Sequence, residues 1–103
     1  MKVISSLILS AVAVHGWTFA CGNTCEDNTS DMQYVITDYD LTAGSCYSFG
    51  LNYPFCKFES TDADEFQQAT IYESCDTGIS ESAVLTTGSG CSFEHQWGSY
   101  ILA

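Results

Sequence analysis

The chain has no arginine and only two lysines, Lys2 and Lys57, against 13 aspartates and glutamates, giving 103 residues a formal charge of −11. A protein so short of cations cannot neutralise a phosphate backbone, which excludes nucleic-acid binding. Anionic membrane surfaces repel it for the same reason. Long hydrophobic runs are also missing. No stretch reaches the roughly 20 predominantly apolar residues that a membrane span needs. Proline occurs once, at Pro54, and there is neither an internal repeat nor a low-complexity tract. A chain of this length holds one small domain.

The first residues read as a secretory leader. Met1 and Lys2 supply a positive start, Val3 to Val14 an apolar stretch interrupted only by serines, and small residues follow. Two cleavage points fit: after Gly16, with Val14 three positions back, or after Ala20, with Thr18 there. The sequence favours cleavage after Ala20, with residues 1–20 as the signal peptide and 21–103 as the domain. A buried N-terminal helix or strand is the competing reading, set aside because charge, length and exit all match a leader. Loss of Lys2 and His15 leaves Lys57 and His95 as the only mature lysine and histidine.

All six cysteines, Cys21, Cys25, Cys46, Cys56, Cys75 and Cys91, follow the leader. In a short secreted chain they read as three disulfides formed in an oxidising compartment, with the pairing left open. A domain this small buries only about 60% of its unfolded surface and needs such staples. Zinc ligation is the rival reading. It is disfavoured because Cys21-x-x-x-Cys25 is the only close pair and His95 the only mature histidine.

The mature chain reads as strands and turns. Residues Cys21 to Asp31 form a polar loop, and Asn28-Thr29-Ser30 is an N-glycosylation acceptor sequence. Met32 to Leu41 is β-rich. Cys46 to Phe49 starts a second strand, ended by Gly50 and the Asn52-Tyr53-Pro54 breaker. Phe55 to Glu59 alternates in the manner of a half-buried strand. Ser60 to Glu65 is the one helical candidate, a single turn with Thr61 and Asp64 imitating a capping box. Gln67 to Glu73 alternates again, a short strand lies around Val84-Leu85, and Trp97 to Leu102 closes the chain. About six short strands predict an all-β fold, a small disulfide-stapled sandwich or Greek-key domain.

The run Cys46-Tyr47-Ser48-Phe49, Cys56, then Ala69-Thr70-Ile71-Tyr72-Glu73-Ser74-Cys75-Asp76-Thr77-Gly78, and the ending Gly90-Cys91 with Trp97-Gly98-Ser99-Tyr100, resembles small secreted cysteine-rich proteins of filamentous fungi. Some of these are similar to a single βγ-crystallin-like Greek-key domain, a fold shared with certain killer toxins and antifungal proteins. The resemblance spans residues 44–102, with Lys57 to Gln68 as an insertion relative to that group. It implies secretion and a role at a host or competitor surface, that is, an effector or virulence function, with no common activity.

Candidate chemistry is sparse. His95 is the one conventional neutral-pH base, but no Gly-x-Ser-x-Gly elbow accompanies it, and between Glu94 and Gln96 it reads as a surface loop residue. Asp38 and Asp40, at strand spacing, project from one face as a glycosidase pair would, and Asp62, Asp64 and Glu65 cluster in the insertion. A domain this small leaves little room for a cleft that desolvates one acid, so a solvated acidic surface is the preferred reading. Glu26-Asp27-Asn28-Thr29-Ser30 loosely resembles the βγ-crystallin calcium sequence but ends on Asp31. Asp62-Ala63-Asp64-Glu65 begins like an EF-hand loop without its glycine or distal glutamate. The aromatic residues read mainly as core, with Tyr53 beside Pro54 the best candidate for an exposed anchor and Trp17 falling within the leader.

The expectation is therefore a secreted, extracellular, monomeric, non-enzymatic binding protein with no cofactor and no metal. Its partner would be an extracellular host protein or wall component. A carbohydrate or cell-wall binding module and a small acidic hydrolase using Asp38 and Asp40 or His95 are the alternatives.

Overall fold

The computed structural model describes residues 17–37, 41–61, 64–76 and 81–103. Seven strands lie among them: β1 (Thr18–Gly22), β2 (Tyr34–Thr37), β3 (Cys46–Tyr53), β4 (Phe55–Glu59), β5 (Gln68–Tyr72), β6 (Ser82–Thr86) and β7 (Trp97–Leu102). The one helical element among the described residues is a 3-10 turn at Thr29–Asp31. The strands form two antiparallel sheets, ordered β2-β1-β4 and β3-β7-β5-β6. The all-β, two-sheet, disulfide-stapled fold expected from the turn spacing is the fold observed.

Side-chain alternation explains which faces meet. In β4 Cys56 and Phe58 are buried while Phe55, Lys57 and Glu59 are half-buried, and in β5 Ala69 and Ile71 face inward. β7 lies between β3 and β5 and is buried on nearly every residue. Between the sheets lies an aromatic core. Phe19 of β1 packs 4.5 Å from the Tyr100 ring and 5.8 Å from Phe49, and Phe49 stacks on Tyr100 at 5.4 Å. Tyr34 joins from β2, its ring 5.0 Å from Phe49 and its hydroxyl 3.1 Å from that of Tyr100. Such ring pairs contribute about 0.5–1.5 kcal/mol each beyond the area they bury.

Three disulfides close the structure. Cys21–Cys56 joins directly opposed positions of β1 and β4. Cys25–Cys91 ties the loop after β1 to the segment before β7, and Cys46–Cys75 ties the start of β3 to the chain beyond β5. No cysteine is free, so the thiolates that zinc would require are absent. The bridges close separations of 35, 66 and 29 residues, for which chain entropy alone predicts about 4 kcal/mol each.

Four local expectations change. β1 begins at Thr18, three residues before Cys21, in what reads as the leader exit, and it is the middle strand of its sheet. Its sequence, Thr-Phe-Ala-Cys-Gly, is too small-residued and short to announce a strand; pairing on both edges makes it one. β3 does not stop at Gly50. That glycine takes φ 86°, and the register with β7 slips between Ser48 and Tyr53, so Gly50 carries a bulge rather than an end. The segment near Thr61 is a turn and no helix forms on its described residues. Asp64 accepts from the Thr61 amide at 2.6 Å and hydroxyl at 3.0 Å, a cap with no helix behind it. β2 covers only the middle of the run expected over Met32 to Leu41, whose residues 38–40 lie outside the described ones.

Burial raises the Tyr100 phenol far above the usual tyrosine range, with the hydrogen bond to Tyr34 and the neighbouring phenols adding in the same direction. Because the neutral form is favoured in the fold, this stability is complete below about pH 10, where tyrosine in an unfolded chain titrates, and is lost as pH rises above it. Alkaline unfolding is expected to begin above about pH 10. Phenolate absorbance and near-UV circular dichroism should change together, and in Tyr100→Phe the transition should move to higher pH. An unshifted transition in that variant contradicts the assignment.

Candidate functional site

The Glu26–Ser30 loop is held by a cation, and the cation is the chain's own. Lys57 Nζ donates to the carbonyl oxygens of Asp27 at 3.0 Å and Glu26 at 3.4 Å, and lies 3.6 Å from Glu59 Oε2. Alternation along β4 puts Lys57 on the face away from Cys56 and Phe58, where its stem reaches back over the loop. Its side chain is only 15% exposed. Two backbone carbonyls of the segment that the sequence reads as a weak calcium loop are thus bonded by an internal ammonium. Among the described residues no group of three histidine, cysteine or acidic side chains converges on a metal-sized position.

Asn28 precedes the 3-10 turn and is exposed, and its side chain makes no capping bond. Thr29 is buried beneath the turn. The acceptor amide therefore faces solvent on a loop anchored by Cys25–Cys91 and Lys57.

His95 is not the free loop residue its neighbours suggest. Its backbone amide donates to the Pro54 carbonyl at 3.1 Å, its ring lies 4.8 Å from that of Trp97, and its Nε2 is 2.6 Å from Glu73 Oε2. Glu73 follows β5, and Gly98 lets it lie close against β7: a Cβ at Gly98 would run into the Glu73 carbonyl and the Asn52 amide. Nothing in the sequence links Glu73 to His95; only the β5–β7 pairing, Tyr72 opposite Ser99, brings them together. The bond made by the imidazole goes to a carboxylate and not to a hydroxyl that it could activate.

Phe93 is the exposed aromatic of this end, at 54%. It stands edge-on to Trp97 with centroids 5.3 Å apart, and the fully buried Trp97 donates its Nε1–H to the Phe93 carbonyl at 3.2 Å. Tyr53, expected as the exposed anchor, is instead half-buried in β3, opposite Trp97 and 6.0 Å from the Phe49 ring. The bulge at Gly50 extends β3 far enough to carry Tyr53 into the core. Phe93, exposed Glu94, His95 and exposed Glu73 together form a small aromatic surface edged by carboxylates.

Asp38, Asp40 and Asp62 lie outside the described residues. Asp64 closes its own turn, and Glu65 is exposed beside it. Comparison with protein-family models, curated proteins and solved structures finds no match.

Replacing Lys57 by methionine keeps the stem but removes the donor to two carbonyls. Bonds to a charged group contribute about 1.5–3 kcal/mol, less where water has some access. Lys57→Met is expected to lower unfolding stability by about 1–2 kcal/mol, read from the urea midpoint. An unchanged midpoint contradicts the bracing role.

Proposed function

We propose that this chain is a secreted, non-enzymatic binding protein, of the fungal effector or toxin-like kind, that engages a basic extracellular partner. The observation that carries the reading is the internal use of Lys57. The one lysine of the domain is committed to its own loop, while Asp27, Asp31, Glu65, Glu73, Asp76, Glu81 and Glu94 are exposed. A surface of one sign steers an oppositely charged partner and accelerates encounter. Phe93, held on the rigid Trp97, offers the apolar anchor that charge alone does not supply. Secretion is supported by the leader sequence and by three disulfides, which persist in oxidising compartments. The fungal and βγ-crystallin-like assignments rest on the resemblance across residues 44–102.

The test is capture from candidate host extracellular fluid by the oxidised protein, with the partner identified by mass spectrometry and its affinity then measured. A Phe93→Ala, Glu94→Lys double variant should bind at least about tenfold more weakly. Association of the unaltered protein should slow as salt rises. Unchanged affinity in the folded variant contradicts the proposed surface.

Phe93 beside Glu73 and Glu94 favours one second reading, a wall-polysaccharide binding module in which the ring stacks on a sugar and the carboxylates accept its hydroxyls. Retention on insoluble polysaccharide, insensitive to salt and lost in Phe93→Ala, would select it. We also propose Asn28 as a glycan acceptor; a mass loss on N-glycosidase treatment of the secreted protein, absent in Asn28→Gln, is expected.

A further inference from the structure

We propose that the leader is released by hydrolysis of the Gly16–Trp17 peptide bond, so that the mature protein begins at Trp17 and carries β1 whole. This rests on the reading of the chain as secreted. The sequence admits two junctions, after Gly16 and after Ala20, and β1 discriminates between them. It is the middle strand of β2-β1-β4, with Phe19 opposite Ile36 on one side and Phe58 on the other, and Ala20 opposite Val35 and Lys57. Cleavage after Ala20 would leave only Cys21 and Gly22 of the strand. β2 and β4 would then lose the strand through which they are joined.

The same cut would remove two of the largest fully enclosed side chains. Trp17 is 2% exposed and packs edge-on to Phe66 at 5.3 Å; Phe19 is fully buried against Tyr100. The Trp17 carbonyl accepts the Thr37 hydroxyl at 2.5 Å, and the Thr18 hydroxyl faces that of Thr37 at 3.4 Å. All of these contacts are made by residues that a cut after Ala20 would remove. Cleavage after Gly16 spares every one of them and places a small residue before the bond, with Val14 three positions back. A leader endopeptidase of the secretory membrane supplies the catalyst and water the reactant. The C–N bond breaks, hydroxide completes the Gly16 carboxylate, and the proton goes to the Trp17 amine.

The test is expression of the full chain, residues 1–103, with its own leader in a eukaryotic secretory host. Protein recovered from the medium is treated with N-glycosidase, weighed intact and sequenced from its N-terminus. The expected result is Trp17 as first residue and the mass of residues 17–103 less six hydrogens for the three disulfides. A first residue of Cys21, or any other, overturns this inference and leaves the secretion reading standing. Retention in the cell with Met1 in place overturns both. A second chain, with residues 1–16 joined directly to Cys21, should reach the medium at least tenfold less abundantly than the full chain. Its recovery at full yield with all three disulfides and native near-UV circular dichroism would also overturn the inference.

Discussion

Phe19 lying on Tyr100 is the contact through which two sheets become one domain. Phe19 comes from the middle strand of the smaller sheet and Tyr100 from a central strand of the larger. Phe49, Tyr34 and Tyr47 collect around that pair, and the Tyr34 and Tyr100 hydroxyls satisfy each other where little else polar reaches them. A domain of this size has few residues to spare for a core, so aromatic rings, each burying a large area on a short side chain, supply most of it. Of the three disulfides, Cys21–Cys56 lies within that core and the other two join its surrounding loops and strand ends. One fastens adjacent strands of the smaller sheet, one joins its first loop to the approach of β7, and one closes the larger sheet across β3 and β5.

The acidic balance of the chain has a structural counterpart in Lys57. With 13 acids in the chain and Lys57 the one lysine among the described residues, the obvious use of that cation is a surface ion pair of little worth. It is placed instead over the carbonyls of Glu26 and Asp27, where a mostly covered ammonium braces a polar loop. The exposed charged side chains among the described residues are carboxylates. Before β7, His95 bonds Glu73 through Nε2 and its ring lies near those of Phe93 and Trp97.

Much of this architecture was legible in the residue pattern. Phe55 to Glu59, Gln67 to Glu73 and Trp97 to Leu102 alternate or end on turn residues in the way strands do, and the structure places β4, β5 and β7 there. Gly50 misled because glycine terminates strands and forms bulges by the same freedom of φ; only the partner strand decides which. The capping signature at Thr61 misled because a cap satisfies a local turn as well as a helix. β1 was hidden because small residues after an apolar run describe a leader exit and a buried central strand equally well. The Glu73–His95 pair had no local signal at all, being assembled by β5 and β7 from positions 22 apart.

What the sequence determined by itself was composition-borne: a small, strongly acidic chain, all-β by its alternation, and stapled by six cysteines. Those properties depend on counts and on short-range periodicity, which are carried by the chain in any conformation. What only the tertiary structure decided was pairwise: which cysteines join, that Lys57 turns inward, that Tyr53 is half-buried against the core and Phe93 exposed, and that Trp17 and Phe19 are enclosed. Each of these depends on residues far apart in the chain meeting across a sheet or between sheets. Burial and hydrogen bonding act on such meetings, and no local pattern records them.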